Sequence, residues 1–330
     1  MTRSRDIADQ QENLGGPVTP FIAGKNKVIN GDFGVWQRGT SFSADGYTSD
    51  RWRLSKNAGT TVSVSRQAFT VGAAPVAPYE SQFFSRYQRT AGAFDDYFLQ
   101  RVEDARTFAN VTTTLSFWAK ASANTTISQV YAAQTTNGTG GGGAGAFGGV
   151  AITTSWARYT VNITLASLSG ATFGAGNYVE LVFKFGSEMG NITVDLWGVQ
   201  WEAGSVATPF TPAGGGSQQA ELALCQRYLP SVRCDSTASA NTLIGYAYAT
   251  NQTLYTTHFP VQARVAPTGI IVSGTHTAFA LNTGTNVTPS FNTAQLNTGS
   301  VLASPTITAG QGSRLEPQPN AFILFTGCEL

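Results

Sequence analysis

Apolar residues recur at every second position through much of the middle of the chain. In residues 159–165, Tyr159, Val161, Ile163 and Leu165 fall on one face, and Thr160, Asn162 and Thr164 on the other. In residues 179–185, Val179, Leu181, Phe183 and Phe185 alternate with Glu180, Val182 and Lys184. The same period runs through Val62 and Val64, and through Leu115, Phe117 and Ala119, whose opposite face carries Ser116, Trp118 and Lys120. A period of two marks strands with one buried and one exposed face, as in the antiparallel sheets of a sandwich. All six tryptophans lie between residues 36 and 201, so this region is expected to hold a large core of its own.

The pattern changes on either side. In residues 1–27, "SRDIADQQ" predicts a short helix capped by Ser4, and "GGPVTP" then breaks it. The segment reads as an arm with too little apolar surface to fold alone. "TPAGGGSQ" reads as a linker. "SQQAELALCQRYLP" predicts a helix with Ser217 as N-cap, Leu222, Cys225 and Leu229 on one face, and Pro230 ending it. Short strands resume in "TLIGYAYAT", "TLYTTHFPVQ", "TGIIVSG" and "AFILFTG". The expected fold is all-β: an arm (1–27), a jelly-roll β-sandwich (28–212), a linker and short helix (213–232), and a second, smaller β-sandwich-like domain (233–330).

Composition narrows the classes of function. Only 12% of the 330 residues are charged and the net charge is +1, so there is neither the basic footprint of a nucleic-acid binder nor an acidic tail. No apolar run is long enough to cross a bilayer, and "MTRSRDIADQQENLGG" lacks the apolar core of a signal peptide. The expectation is a soluble protein, without membrane insertion and not addressed to secretion. Cys225, Cys234 and Cys328 match no zinc or redox spacing and read as buried, reduced thiols. His258 and His276 are the only histidines available to a metal site or a triad.

Candidate chemistry concentrates in a few stretches. "NGDFGVWQRG" (30–39) and "YTSDRW" (47–52) set Asp32 and Asp50 near arginines and tryptophans, and with Glu202 these carboxylates are the pair a glycosidase would need. The same residues read equally as a turn and first strand. Arg38, Arg51 and Asp50 then pair at a sandwich corner while Trp36 and Trp52 fill the core, and this architectural reading is preferred. "FDDYFLQRVED" (94–104), with Asp95, Asp96, Glu103 and Asp104, is the best alternative for an acid pair and also reads as a solvated turn and strand edge. "GTGGGGAGAFGG" (138–149) lacks the Lys-Ser/Thr of a phosphate cradle and reads as a flexible loop. Trp118 is the leading ligand-binding residue: it shares the polar strand face with Lys120, where a ring can stack on a sugar. Packing under a loop or against another subunit is the competing reading. Trp197 and Trp201, in "WGVQW", carry the same two readings.

"NKVINGDFGVWQRGTSF", "YTSDRW", "TLSFWAKAS", "SWARYTVNITL" and "VDLWGVQWEAGSVATPF" occur in an order that resembles many phage tail and fibre proteins. "ELALCQRYLPS" and "FPVQARVAPTG" resemble the C-terminal half of the same proteins, so the likeness spans roughly residues 26–270. The sandwich is similar to the jelly roll of carbohydrate-binding modules. What the resemblance implies is a non-enzymatic virion structural protein, a fibre or spike subunit adhering to host-surface glycans. Its arm would dock on other virion proteins, and the assembly would be a homotrimer. A capsid decoration or head fibre protein without specific receptor binding is the alternative. A capsule-depolymerising tailspike is a further one, but the chain lacks the long solenoid or barrel such enzymes use. A carbohydrate-binding module detached from a bacterial enzyme fits the phage-like C-terminal half poorly. Jelly rolls of this type often hold a structural calcium through an acidic residue after the "NGDF" segment and an aspartate in the last strand. Asp195 matches the latter, but Gly34 stands at the former position, so Asp195 is the candidate ligand of an incomplete calcium site.

Overall fold

The computed structural model describes residues 24–76, 81–140, 142–145, 148–234, 243–280 and 283–330. The predicted arm lies outside these residues except for its end, where the Lys27 N–H donates to the Trp201 carbonyl (3.0 Å). Alternating sequence becomes strands β1 (Ser41–Phe42), β2 (Gly46–Tyr47), β3 (Trp52–Ser55), β4 (Thr61–Ala68), β5 (Phe83–Ala91), β6 (Asp96–Glu103) and β7 (Thr112–Ala121). These are followed by β8 (Thr125–Ile127), β9 (Gln129–Thr135), β10 (Ala144–Gly145), β11 (Val150–Ile152), β12 (Ala157–Thr164), β13 (Tyr178–Phe185) and β14 (Ile192–Ala203). Two six-stranded antiparallel sheets form a jelly-roll sandwich, the first in the order β1-β4-β5-β14-β7-β12 and the second β10-β9-β13-β6-β3-β2. Part of the glycine-rich stretch read as a loop is therefore strand β10, paired with β9.

The faces predicted to be apolar meet between the sheets. Leu115, Phe117 and Leu196 of the first sheet pack on Phe98, Val179, Leu181 and Phe183 of the second. Phe117 and Phe183 sit edge to face, 5.0 Å apart. Asp96, read as part of a solvated turn, is fully buried. Four groups hold its carboxylate: the Arg89 guanidinium (2.8 Å), Tyr87 hydroxyl (2.8 Å), Thr60 hydroxyl (2.7 Å) and Asn57 N–H (3.0 Å). A buried charge survives only with such saturation.

Beyond the sandwich lies helix α1 (Gln218–Gln226). Ser217 caps it as read, its hydroxyl accepting the Ala220 N–H (3.3 Å). The buried face differs from the expectation: Glu221 and Cys225, one turn apart, face inward, while Leu222 is exposed. Strands β15 (Ser231–Arg233), β16 (Leu243–Ala249), β17 (Gln252–His258), β18 (Gly269–Ser273) and β19 (His276–Ala280) follow. The last are β20 (Thr283–Val287), β21 (Ser290–Ala294), β22 (Thr298–Ala303), β23 (Gly312–Pro317) and β24 (Phe322–Thr326). They form a three-stranded sheet, β15-β24-β18, and a seven-stranded sheet, β20-β19-β23-β16-β17-β22-β21. Tyr255, Val301, Leu315, Ile323 and Phe325 make up a second core. All three cysteines are buried thiols outside any disulfide.

The stretch from Asn30 to Trp52 is the joint between the two cores. Asn30 adopts a left-handed conformation (φ 57°), and its side chain bonds both the N–H and the carbonyl of Val35. A Cβ on Gly31 would stand 2.1 Å from the Val199 carbonyl oxygen, so only glycine fits there. Trp36 and Trp52 are buried, in keeping with the corner reading. Arg38 pairs with Asp50 as read (3.9 Å) and also reaches across to Glu329. Arg51 departs from the reading: its guanidinium stacks on Tyr228 at 3.5 Å instead of pairing with Asp50. Gln37 ties Asp50 to the Leu229 carbonyl and accepts the Ser231 hydroxyl.

Candidate functional site

The predicted residues Trp118 and Lys120 do lie together on the outer face of the first sheet. Trp118 is half-buried there in an aromatic cluster with Phe69, Phe84, Trp156, Trp197 and Phe210. Phe69 follows β4 and Phe210 follows β14, so segments leaving two strands lie over the face. Lys120 stands 5.4 Å from the centre of the Trp156 ring and 3.7 Å from Asp195. Trp197 and Trp201 must be corrected. Both are fully buried and offer no ring face to a ligand. Their indole N–H groups donate internally, Trp197 to the Ser81 hydroxyl (2.7 Å) and Trp201 to the Thr113 hydroxyl (2.8 Å).

A bulge separates these two tryptophans. Register against β7 slips between Trp197 and Gln200, where Gly198 takes φ 62°. One extra residue reverses the alternation. Leu196 faces the core before the bulge and Trp201 after it, while Trp197 turns outward into the covering cluster.

Asp195 does not suit calcium. Its two oxygens receive a bidentate clamp from Arg86 (2.7 and 2.9 Å), and the clamp raises the Arg86 pKa. Lys120 adds a second cation at 3.7 Å. Calcium needs a shell of hard oxygens, and two cations already compensate this carboxylate. No group of three His, Cys, Asp or Glu residues with metal-binding spacing occurs among the described residues. Asp195, the candidate ligand of the incomplete calcium site, is thus engaged by two cations.

The outer face of the second sheet has a different character. In register, Val182 lies between Tyr131 of β9 and Leu99 of β6, Lys184 lies beside Tyr97, and Glu180 lies beside Arg101. Tyr97, Tyr131 and Tyr178 are all half-buried on this face. None of the three hydroxyls makes a hydrogen bond to a described residue. Burial first, then the Glu180 carboxylate, raises the Tyr131 pKa, with Tyr97 and Lys184 also close enough to act on it. Arg101 stacks over Tyr178 at 4.3 Å and bonds Glu180 (3.3 Å). Lys184 pairs with Asp95 (2.8 Å), which lowers the aspartate pKa and raises that of the lysine. The result is a sheet surface of tyrosine rings with fixed charges between them. Alternation had already placed Glu180, Val182 and Lys184 on this face. The missed signal was tyrosine at outward positions of three segments that pair only in the fold.

No known family model matches the chain, and no curated protein matches it. Among solved structures, the chain is similar to the N-terminal cellulose-binding domain of a β-1,4-glucanase C from Cellulomonas fimi. Identity is 16%, coverage 55% of this chain and 99% of that one, and the TM-score 0.33. A family 11 carbohydrate-binding module from a cellulosomal cellulase of Clostridium thermocellum is 14% identical over 51% of this chain and 97% of its own, with a TM-score of 0.32. The enzymatically active domain of tailspike protein 4 of bacteriophage CBA120 is 16% identical over 54% of this chain but only 21% of its own, with a TM-score of 0.34. Likenesses of this size assign no ligand.

Proposed function

We propose that the protein is a non-enzymatic surface subunit of a phage particle, a fibre or spike, whose sandwich adheres to host-surface glycans. The observation that carries adhesion is the tyrosine face of the second sheet. It presents three half-buried rings whose hydroxyls have no hydrogen bond to a described residue, and Lys184, Glu180 and Arg101 held beside them. Sugars present C–H faces to rings and hydroxyls to charged or amide groups, which is what such a surface offers. Support for the particle assignment is the ordered set of motifs from "NKVINGDFGVWQRG" to "FPVQARVAPTG". The N-terminal arm is assigned to attachment on other virion proteins.

Two of the carboxylates weighed for hydrolysis, Asp50 and Glu202, are committed elsewhere, which supports a binding role over a catalytic one. Asp50 is buried and held by Gln37. Glu202 is buried and held by Gln200 and Thr208. For assembly we assign Ile244, Tyr246 and Tyr248 to contact between subunits of a homotrimer. They form one outward row on β16, in the middle of the seven-stranded sheet, and are 72%, 56% and 49% exposed.

Two measurements test this reading. Antibody raised against the protein should decorate virions under the electron microscope. Purified protein should adsorb to host cells, and a folded Tyr97→Ala/Tyr131→Ala variant should lose most of that adsorption. Unlabelled particles would remove the virion assignment. Undiminished adsorption by the double variant would remove the tyrosine face.

A further inference from the structure

A cleft of about 680 Å³ opens at the joint, between the Asp32–Gln37 loop, the start of β5, α1 and β15. Its size lies in the range of sites that enclose a small organic ligand. The apolar part of its wall comes from Val35, Trp36, Phe83, Pro212 and Leu222. The polar part is rich in amides: Gln82 and Gln218 are exposed and their side chains make no hydrogen bond to a described residue. Gln226 spends only its amino group, in a long contact with Ser231 (3.5 Å).

The charged groups in the wall are mostly engaged. Arg233 donates to the Gln37 carbonyl and lies over the Phe322 ring. Glu221 accepts one backbone N–H at each oxygen, from Asn30 and from Gly214. Asp32 accepts the Gly34 N–H with one oxygen, and its negative charge disfavours an anionic ligand. What the cleft offers is apolar surface beside neutral amides, each of which both donates and accepts. Uncharged sugars match that lining: their ring faces are apolar and their hydroxyls donate and accept in turn.

We propose that this cleft binds a short uncharged saccharide, at a site separate from the tyrosine face. The inference stands without the adhesion reading, because none of its residues belongs to the second sheet. A ligand seated there touches both the sandwich and the helix and strand beyond it, so binding also braces the joint.

The test is calorimetric titration of the full chain with maltotriose, cellotriose and the trimer of N-acetylglucosamine, with sialyllactose as an anionic control. At least one uncharged probe should bind and sialyllactose should not. Gln82→Ala/Gln218→Ala should weaken binding by about tenfold, the scale of one or two lost hydrogen bonds. Leu222→Trp, at an exposed position on the cleft wall, should block it, and Tyr131→Ala should leave it unchanged. Binding of no uncharged probe would overturn the proposal. So would binding that survives both cleft variants, or that Tyr131→Ala alone abolishes. That last result would place all saccharide binding on the tyrosine face, whereas loss confined to the cleft variants would separate the two sites.

Discussion

Glu221 on α1 accepts the backbone N–H of Asn30, 191 positions earlier in the chain. The contact fastens the helix to the sandwich with a carboxylate that is nearly inaccessible to water. Burial raises its pKa to about 7, against the two N–H donors that favour the charged form. Burial likewise raises Glu329 to about 7, against the pull of Arg38. The ordinary value for both is 4.5. Between 4.5 and about 7 the native state holds protons that the unfolded chain has released. Their contribution to stability is therefore complete below the unfolded pKa and is lost as pH rises through the folded one. A shift of this size corresponds to roughly 3 kcal/mol per group. Melting temperature should fall between about pH 5 and about pH 8, and Glu221→Gln should flatten the slope. An equally steep slope in the variant would show that other groups set it.

Trp118 contributes to stability, and substituting it should show as much. Trp118→Ala removes a half-buried ring from the cluster around Trp197 and Phe210. The expected loss is about 2 kcal/mol, below the range for a fully buried tryptophan. Host-cell adsorption by the folded variant should match the parent at a temperature where both are native. Lost adsorption with unchanged melting would return Trp118 to the ligand site.

Calcium should have no effect on folding. Arg86 and Lys120 already compensate the Asp195 carboxylate, so melting curves in chelator and in millimolar calcium should superimpose. Asp195→Asn should instead cost about 1–2 kcal/mol, because the charge-assisted bonds to Arg86 weaken. A calcium-dependent rise in melting temperature that Asp195→Asn abolishes would restore the metal.

Assembly should respond to β16. Ile244→Asp and Tyr246→Asp place charge on side chains that are already exposed, so the subunit fold should persist. Sedimentation should show a trimer for the parent and a monomer for the double variant. A monomeric parent, or a trimeric variant, would exclude this face as the contact.

Much of the sandwich was legible because its longer strands, such as β7 and β13, obey a period of two over eight or more residues. Leu115–Phe117–Ala119 and Val179–Leu181–Phe183 point inward as alternation requires. Three features were not legible, each for a physical reason. The Gly198 bulge changes the face of every residue after it, so Trp197 and Trp201 share a parity in sequence but not a side of the sheet. What covers a strand face depends on distant segments, and Phe69 and Phe210 lie far from Trp118 in the chain. Strands such as β20 (Thr283–Val287) and β21 (Ser290–Ala294) carry mostly small polar residues, so their pairing leaves little hydrophobic trace. The tyrosine face lies on the sheet opposite the one where alternation placed Trp118 and Lys120. Tyr97 lies in a stretch whose acidic residues masked its strand character.

Strand β14 also bears on how the chain reaches its native state. It is hydrogen-bonded between β5 and β7 in the middle of the first sheet. Until it emerges during synthesis, the β4–β5 ribbon and the β7–β12 ribbon each present an unsatisfied edge to any strand available. Closure waits for a long-range pairing, the slow kind of folding event. Chains stalled or truncated before Ile192 are therefore expected to associate edge to edge and collect as insoluble material.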